Sequence, residues 1–143
     1  MAAGMALGAA PNAPLEALAE MHTAALADPR RVVLVAEQDG DVVGMAHVAP
    51  SEAANASHRA EVQRVAVAEH ARGLGVGRAL MRAAEDEARA RGVTLLWLTT
   101  HDGTEACAFY EAIGYARLGV MPAYSLRPDG TPTPAAFYFR ELR

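Results

Sequence analysis

The sequence predicts an α/β fold, a mixed β-sheet flanked by helices in one domain over residues 1–143. Three observations predict it. Strand-like apolar stretches alternate with segments at helical spacing, in the order α, ββ, β, α, β, α, β, β. Turn signals fall between them, at Asp39-Gly40, Gly92, Gly114 and Pro128-Asp129-Gly130. With 143 residues, 52% of them hydrophobic and 21% charged, the chain can bury a sizeable core.

Leu15, Leu18, His22, Ala25 and Leu26 recur at helical spacing, and Pro14 suits a first turn, so a helix is expected over Pro14–Ala27. Asp28-Pro29 ends it. "RVVLVAEQ" (Arg31 to Gln38) is β-rich, and "VVGMAHVA" from Val42 follows a tight "DGD" turn as its hairpin partner. "PSEAANASH" is a loop, and "RAEVQRVAV" (Arg59 to Val67) alternates as a strand with differently occupied faces. Gly75 to Arg91 is an amphipathic helix with Val76, Leu80, Ala83, Ala84 and Ala88 on its buried stripe, stopped by Gly92. "VTLLWLTT" is expected to be a strand buried on both faces, and Glu105 to Ile113 a short helix closed by Gly114. "YARLGV" and "AAFYFREL" are the last two strands, separated by a loop that turns at Pro128-Asp129-Gly130.

Composition narrows the function classes. A formal net charge of −4 gives no support to nucleic-acid binding. No stretch approaches the length of a membrane span, so no membrane partner is expected. The opening "MAAGMALGAAPNAP" lacks a basic n-region and is expected to be a flexible leader over residues 1–13. One cysteine, Cys107, excludes an intrachain disulfide and makes a reducing cytoplasm the expected compartment. The five histidines are scattered without zinc-ligand spacing, and no metal is expected.

The segment "EHARGLGVGRAL" places Gly73, Gly75 and Gly77 between Arg72 and Arg78, at the junction of a strand and a helix. Glycine costs about 1 kcal/mol relative to alanine inside a helix, so something other than helix stability favours these residues. A ligand-free turn is the plain alternative. A P-loop would need Gly-Lys-Ser/Thr, and here Gly77 is followed by Arg78 and Ala79. A dinucleotide fingerprint would need Gly-x-Gly-x-x-Gly after a fully buried first strand, whereas this strand carries Arg59, Glu61, Gln63 and Arg64. A pyrophosphate fits: glycines let backbone N–H groups converge, the helix start adds positive potential, and the arginines add formal charge.

Written Arg72-Gly73-Leu74-Gly75-Val76-Gly77, the loop resembles the acetyl-CoA loop of the GNAT N-acetyltransferase superfamily. The resemblance covers "VQRVAVAEHARGLGVGRALM" and "ACAFYEAIGY" in the right order and extends to the closing strands, about two-thirds of the chain. "RAEVQ" and "MPAYSLRPDGTPTPAAFYF" are further similar to the tabtoxin-resistance acetyltransferase and its bacterial relatives. The resemblance implies that Arg72, Gly73, Leu74, Gly75, Val76, Gly77 and Arg78 hold the pyrophosphate of acetyl-CoA. It also implies that the backbone of Val65 and Val67 pairs with the pantetheine arm. An amine would then attack the thioester directly in a ternary complex.

By the same resemblance, Tyr110 donates a proton to the departing thiolate and Glu61 is the base, each against a plainer reading as a core aromatic or a solvated strand carboxylate. Thr99 stands where the subgroup carries an aspartate, which leaves His101 as a minor candidate for proton removal. Gly103 replaces an asparagine common near the pantetheine. Cys107 reads as a structural thiol.

Relatives begin with an additional strand and a pair of helices, while only 31 residues precede Val32, so an N-terminal strand and one helix are expected to be missing. A homodimer, with an exposed apolar "AAFYFREL" edge carrying Phe137 and Phe139, would help rebuild that wall. The expected acceptor is a small-molecule primary amine. The rival expectation is a non-catalytic acyl-CoA-binding module with an incomplete acceptor site, and acetyl transfer to any amine separates the two.

Overall fold

A computed structural model describes residues 27–143. The leader expected over residues 1–13 lies outside them, as does the helix expected from Pro14, except for helical Ala27. Six strands form one sheet: β1 (Val32–Gln38), β2 (Asp41–Pro50), β3 (Arg59–Val67), β4 (Leu95–His101), β5 (Ala116–Leu126) and β6 (Pro132–Glu141). Helix α1 (Val76–Ala90) connects β3 to β4, and α2 (Glu105–Ala112) connects β4 to β5. The strand order is β1-β2-β3-β4-β6-β5, antiparallel except for the parallel β3/β4 pair that α1 crosses over.

Both helices pack on one face of the sheet. Met81, Ala84 and Ala88 from α1 and Cys107 and Tyr110 from α2 share a core with Val48, Val62, Leu96, Leu98, Ala136 and Tyr138. The opposite face carries the alternate residues, and there Trp97 stacks on Phe137 at 6.1 Å with ring planes 7° apart. One buried position on α1 is acidic. Glu85 accepts hydrogen bonds from the Tyr115 hydroxyl and from Arg140 Nη1, both at 3.1 Å, and the same arginine nitrogen donates to the Ile113 carbonyl. Those bonds offset the cost of burying the carboxylate and tie α1, the end of α2 and β6 together.

The final strands differ from expectation. "AAFYFREL" is not an edge: β6 pairs with β4 on one side and β5 on the other. The edge is β5, and it runs through "MPAYSL", a segment expected to be loop. The pairing tolerates Pro122 because the register slips between Met121 and Ser125, where Ala123 takes φ +52°. Strand β4 is buried on its helix face at Leu96 and Leu98, but Leu95, Trp97 and Thr99 on the other face are only half-buried.

Candidate active site

The site is built where β3, paired with β2 along its length, loses its second partner. Its first residues, Arg59–Glu61, pair with Leu95–Trp97 of β4. Among the described residues no ladder joins the two strands beyond that point. β3 continues along β2 to the pair Val67↔Gly44, while β4 continues along β6 to His101↔Ala135. The two strands therefore part after Glu61 and Trp97, which leaves their facing backbone edges open to a ligand that pairs as a strand would.

A bulge sets the direction of the parting. Between His47↔Gln63 and Met45↔Ala66 the register slips, and Arg64 takes φ +53°. Before the bulge, Ala60 and Val62 face the helices; after it, Val65 packs against the same core and Val67 approaches the start of α1. The extra residue shifts the alternation by one and increases local twist. It explains why the valines stand three apart at Val62 and Val65 rather than two.

The glycine loop follows at once. A 3₁₀ turn at Glu69–Ala71 leads into exposed residues Arg72–Gly75, and α1 begins at Val76. Gly73 and Gly75 have φ +77° and +82°, a conformation costly for a residue with a Cβ. A Cβ on either would meet no atom within 4 Å, so internal packing does not demand glycine there. Gly77 differs: a Cβ would lie 3.2 Å from Phe109 Cζ, so this glycine lets α2 approach the first turn of α1. Arg72 and Arg78 are exposed beside the free N–H groups of the helix start. Two glycines thus shape an open, exposed loop and the third packs two helices. The donor set and the open cradle fit a pyrophosphate.

Glu61 lies on the face without α1 and α2, half-buried. Gln63 Nε2 donates to its Oε2 at 2.8 Å, while Gln63 Oε1 accepts from Arg31 Nη1 and Arg64 Nη1, each at 3.0 Å. Burial pushes the Glu61 carboxyl above the usual range, partly opposed by Gln63, Arg31 and Arg64. A cavity of about 180 Å³ opens beside it, and its lining includes Arg31, Ala49, Arg59, Gln63 and Trp97 together with Asp28, Arg30 and Glu52.

Tyr110 sits on the other face, only 6% exposed, with its ring against Phe109, Tyr115 and Tyr138. Burial raises its phenol to about 12, so the group holds its proton at neutral pH. It is a core residue, and that position does not conflict with a donor role. His101, the last residue of β4, is four residues beyond Trp97, about 13 Å along the strand. The structure groups Glu61 with Gln63 and the cavity, and it leaves His101 apart. Its backbone carbonyl instead accepts from Thr104 Oγ1 at 2.7 Å and Cys107 Sγ at 3.5 Å.

Sequence reasoning missed Arg31, Arg59 and Trp97 as neighbours of Glu61. The spacing of Arg59, Glu61 and Gln63 at alternate positions puts them on one face and was a usable signal. Arg31 and Trp97 needed the sheet register. Among the described residues no helix is long and apolar enough to cross a membrane, and no group of three or more acidic, histidine or cysteine side chains is placed to hold a metal.

Residues 7–115 match the acetyltransferase (GNAT) family model. Streptothricin acetyltransferase of Streptomyces lavendulae is 40% identical over 98 residues, 68% of this chain and 50% of that protein. IAA acetyltransferase of Azospirillum brasilense is 37% identical over 105 residues, 72% of this chain and 66% of that protein. The crystal structure of a ribosomal-protein-alanine N-acetyltransferase from Brucella melitensis superposes with a TM-score of 0.77 at 30% identity, over 91% of this chain and 80% of that one. The chain thus spans half the length of the first of these relatives and about two-thirds of the second. By the family match and the shared fold, the chain belongs to the acetyltransferase (GNAT) family.

Proposed function

We propose that this chain transfers an acetyl group from acetyl-CoA to a primary amine on a small molecule, by direct attack in a ternary complex. The observation that carries this reading is the adjacency of three features on β3 and its continuation. These are a half-buried carboxylate at Glu61, the parting of β3 from β4 immediately after it, and the open Gly73–Gly75 loop at the start of α1. Arg72 to Arg78 would hold the pyrophosphate, and the freed β3 edge at Val65 and Val67 would take the pantetheine arm.

In that arrangement Glu61 accepts a proton from the bound ammonium, whose ordinary pKa near 10.4 otherwise keeps it protonated and unreactive, and frees the nitrogen lone pair. The amine nitrogen then bonds to the thioester carbonyl carbon as the carbon–sulfur bond breaks. Tyr110, neutral on the helix side of the sheet, gives its phenolic proton to the departing sulfur; the second proton that the nitrogen sheds as the amide forms restores the phenol, and Glu61 passes its proton to water. Base and donor approach the gap from opposite faces. His101 takes no part in this scheme.

We extend the reading to a homodimer formed through the β5 edge, where Leu118, Met121 and Leu126 are exposed. The test of the main reading is release of free CoA thiol with a panel of small primary amines. Amine-dependent release supports the transferase. CoA binding with no release for any amine makes the chain a binding module instead, and absence of CoA binding removes both.

A further inference from the structure

The cavity beside Glu61 carries cationic groups that proton removal alone does not require. Arg31 and Arg59 both line it, and among the described residues neither makes an ion pair. Arg31 gives one N–H to the neutral oxygen of Gln63, leaving most of its five donors for another acceptor. The third cation, Arg30, is already neutralised by Asp28 and Glu52, each at 3.2 Å.

The order of these groups along β3 has a direction. The strand gap opens on the Gln63 side of Glu61, whereas Arg59 is two residues back, about 7 Å along the same face. A molecule placing its amine at Glu61 and the gap therefore directs its other end toward Arg59. Ala49, directly across from Glu61 on β2, keeps the floor low, and Trp97, across from it on β4, supplies an apolar wall backed by Phe137.

We propose that the acceptor is an amino carboxylate with an apolar body: its amine meets Glu61, its carboxylate meets Arg59 and Arg31, and its side chain lies along Trp97. This rests on the acetyltransferase reading and specifies its substrate class. An arginine fork suits a carboxylate, with two parallel N–H donors matched to two oxygens. A dicationic or polyamine acceptor would bring its second charge against Arg59. An amine without an anion would leave Arg59 unmatched and Arg31 with only its bond to Gln63 and the nearby charge of Glu61.

The test separates carboxylate recognition from catalysis. Phenylalanine, phenylalaninamide and phenethylamine are titrated by calorimetry into the protein saturated with CoA. Phenylalanine is expected to bind at least about tenfold more tightly than the other two, the scale of one lost charged contact. Arg59→Gln should remove that preference while leaving CoA affinity and the melting temperature unchanged. Equal binding of the three compounds, binding of none, or a preference that survives Arg59→Gln overturns the proposal. Thiol release with phenethylamine but not phenylalanine also overturns it while keeping the acetyltransferase reading. Failure to bind CoA at all defeats the reading beneath it.

Discussion

Glu61 faces Trp97 across the last rung that joins β3 to β4. On its other side Glu61 is in register with Ala49 of β2, so its backbone is held between two ladders at the point where the sheet opens. A carboxylate placed there combines rigid support with access to the gap. The position costs some solvation, since burial raises the Glu61 carboxyl, and Gln63 returns part of it through one hydrogen bond.

That bond gives a pH prediction. Gln63→Leu deletes the donor that favours ionised Glu61, and burial then raises the carboxyl further. The acid limb of kcat/KM should move to higher pH, with the high-pH plateau largely retained. A purely structural role for Gln63 would lower activity across the profile without moving the limb, and a pH–rate series distinguishes the two.

The same carboxyl predicts a separation of activity from stability. Because folding raises its pKa, the folded state binds this proton more readily than the unfolded chain. The resulting destabilisation is absent below the ordinary carboxylate pKa and complete once pH exceeds the raised one. Glu61→Gln removes the charge but keeps an oxygen for Gln63 Nε2. Turnover should fall by about 10²-fold or more, while the melting temperature at pH 7 to 8 stays level or rises. A clear drop in melting temperature would mark Glu61 as a structural ion.

Gly75→Val tests the loop. At φ +82° a β-branched residue is strained by about 1–2 kcal/mol. No neighbour lies within 4 Å of its Cβ, so relief must come from moving the loop backbone. CoA affinity should weaken by about tenfold or more while the core stays folded. Calorimetry with unchanged affinity would remove the pyrophosphate assignment.

The β5 edge predicts assembly. Leu118 is 71% exposed and Leu126 54% on a strand paired on one side only. Leu118→Lys should shift a dimer toward monomer in sedimentation at high micromolar concentration, with CoA binding intact. A monomeric unmodified protein at that concentration rejects the dimer.

Much of this fold was legible because its signals are local. The "RAEVQRVAV" strand has the expected bounds, α1 lies one residue inside its expected limits at each end, and Gly73 and Gly75 mark the loop. What was not legible depends on partners distant in sequence. Nothing near "MPAYSL" announces a strand, because Pro122 and the positive φ of Ala123 are accommodated only by the register slip against β6. Glu85 reads as a solvated helix residue until Arg140 and Tyr115 arrive from 55 and 30 positions away. The cavity beside Glu61 is the same case: Arg59 and Glu61 share a face by alternation, but only the folded sheet brings Trp97 of β4 and Arg31, just before β1, to them.

Two buried tyrosines on neighbouring positions of the core give the sharpest test of the chemistry. Tyr115 spends its hydroxyl on Glu85 at 3.1 Å, so Tyr115→Phe leaves a buried carboxylate short of one donor. That loss should cost about 1–3 kcal/mol of stability, read as a lower melting temperature, with kcat little changed in the remaining folded protein. Tyr110 has a buried ring and a phenol that keeps its proton up to about 12. Tyr110→Phe preserves the ring contacts with Phe109, Tyr115 and Tyr138 and removes only the hydroxyl that carries that proton. Turnover should drop by about 10²- to 10⁴-fold while CoA affinity and melting temperature hold. If Tyr110→Phe instead behaves like Tyr115→Phe, losing stability but keeping kcat, its hydroxyl serves the core and sulfur leaves without its help.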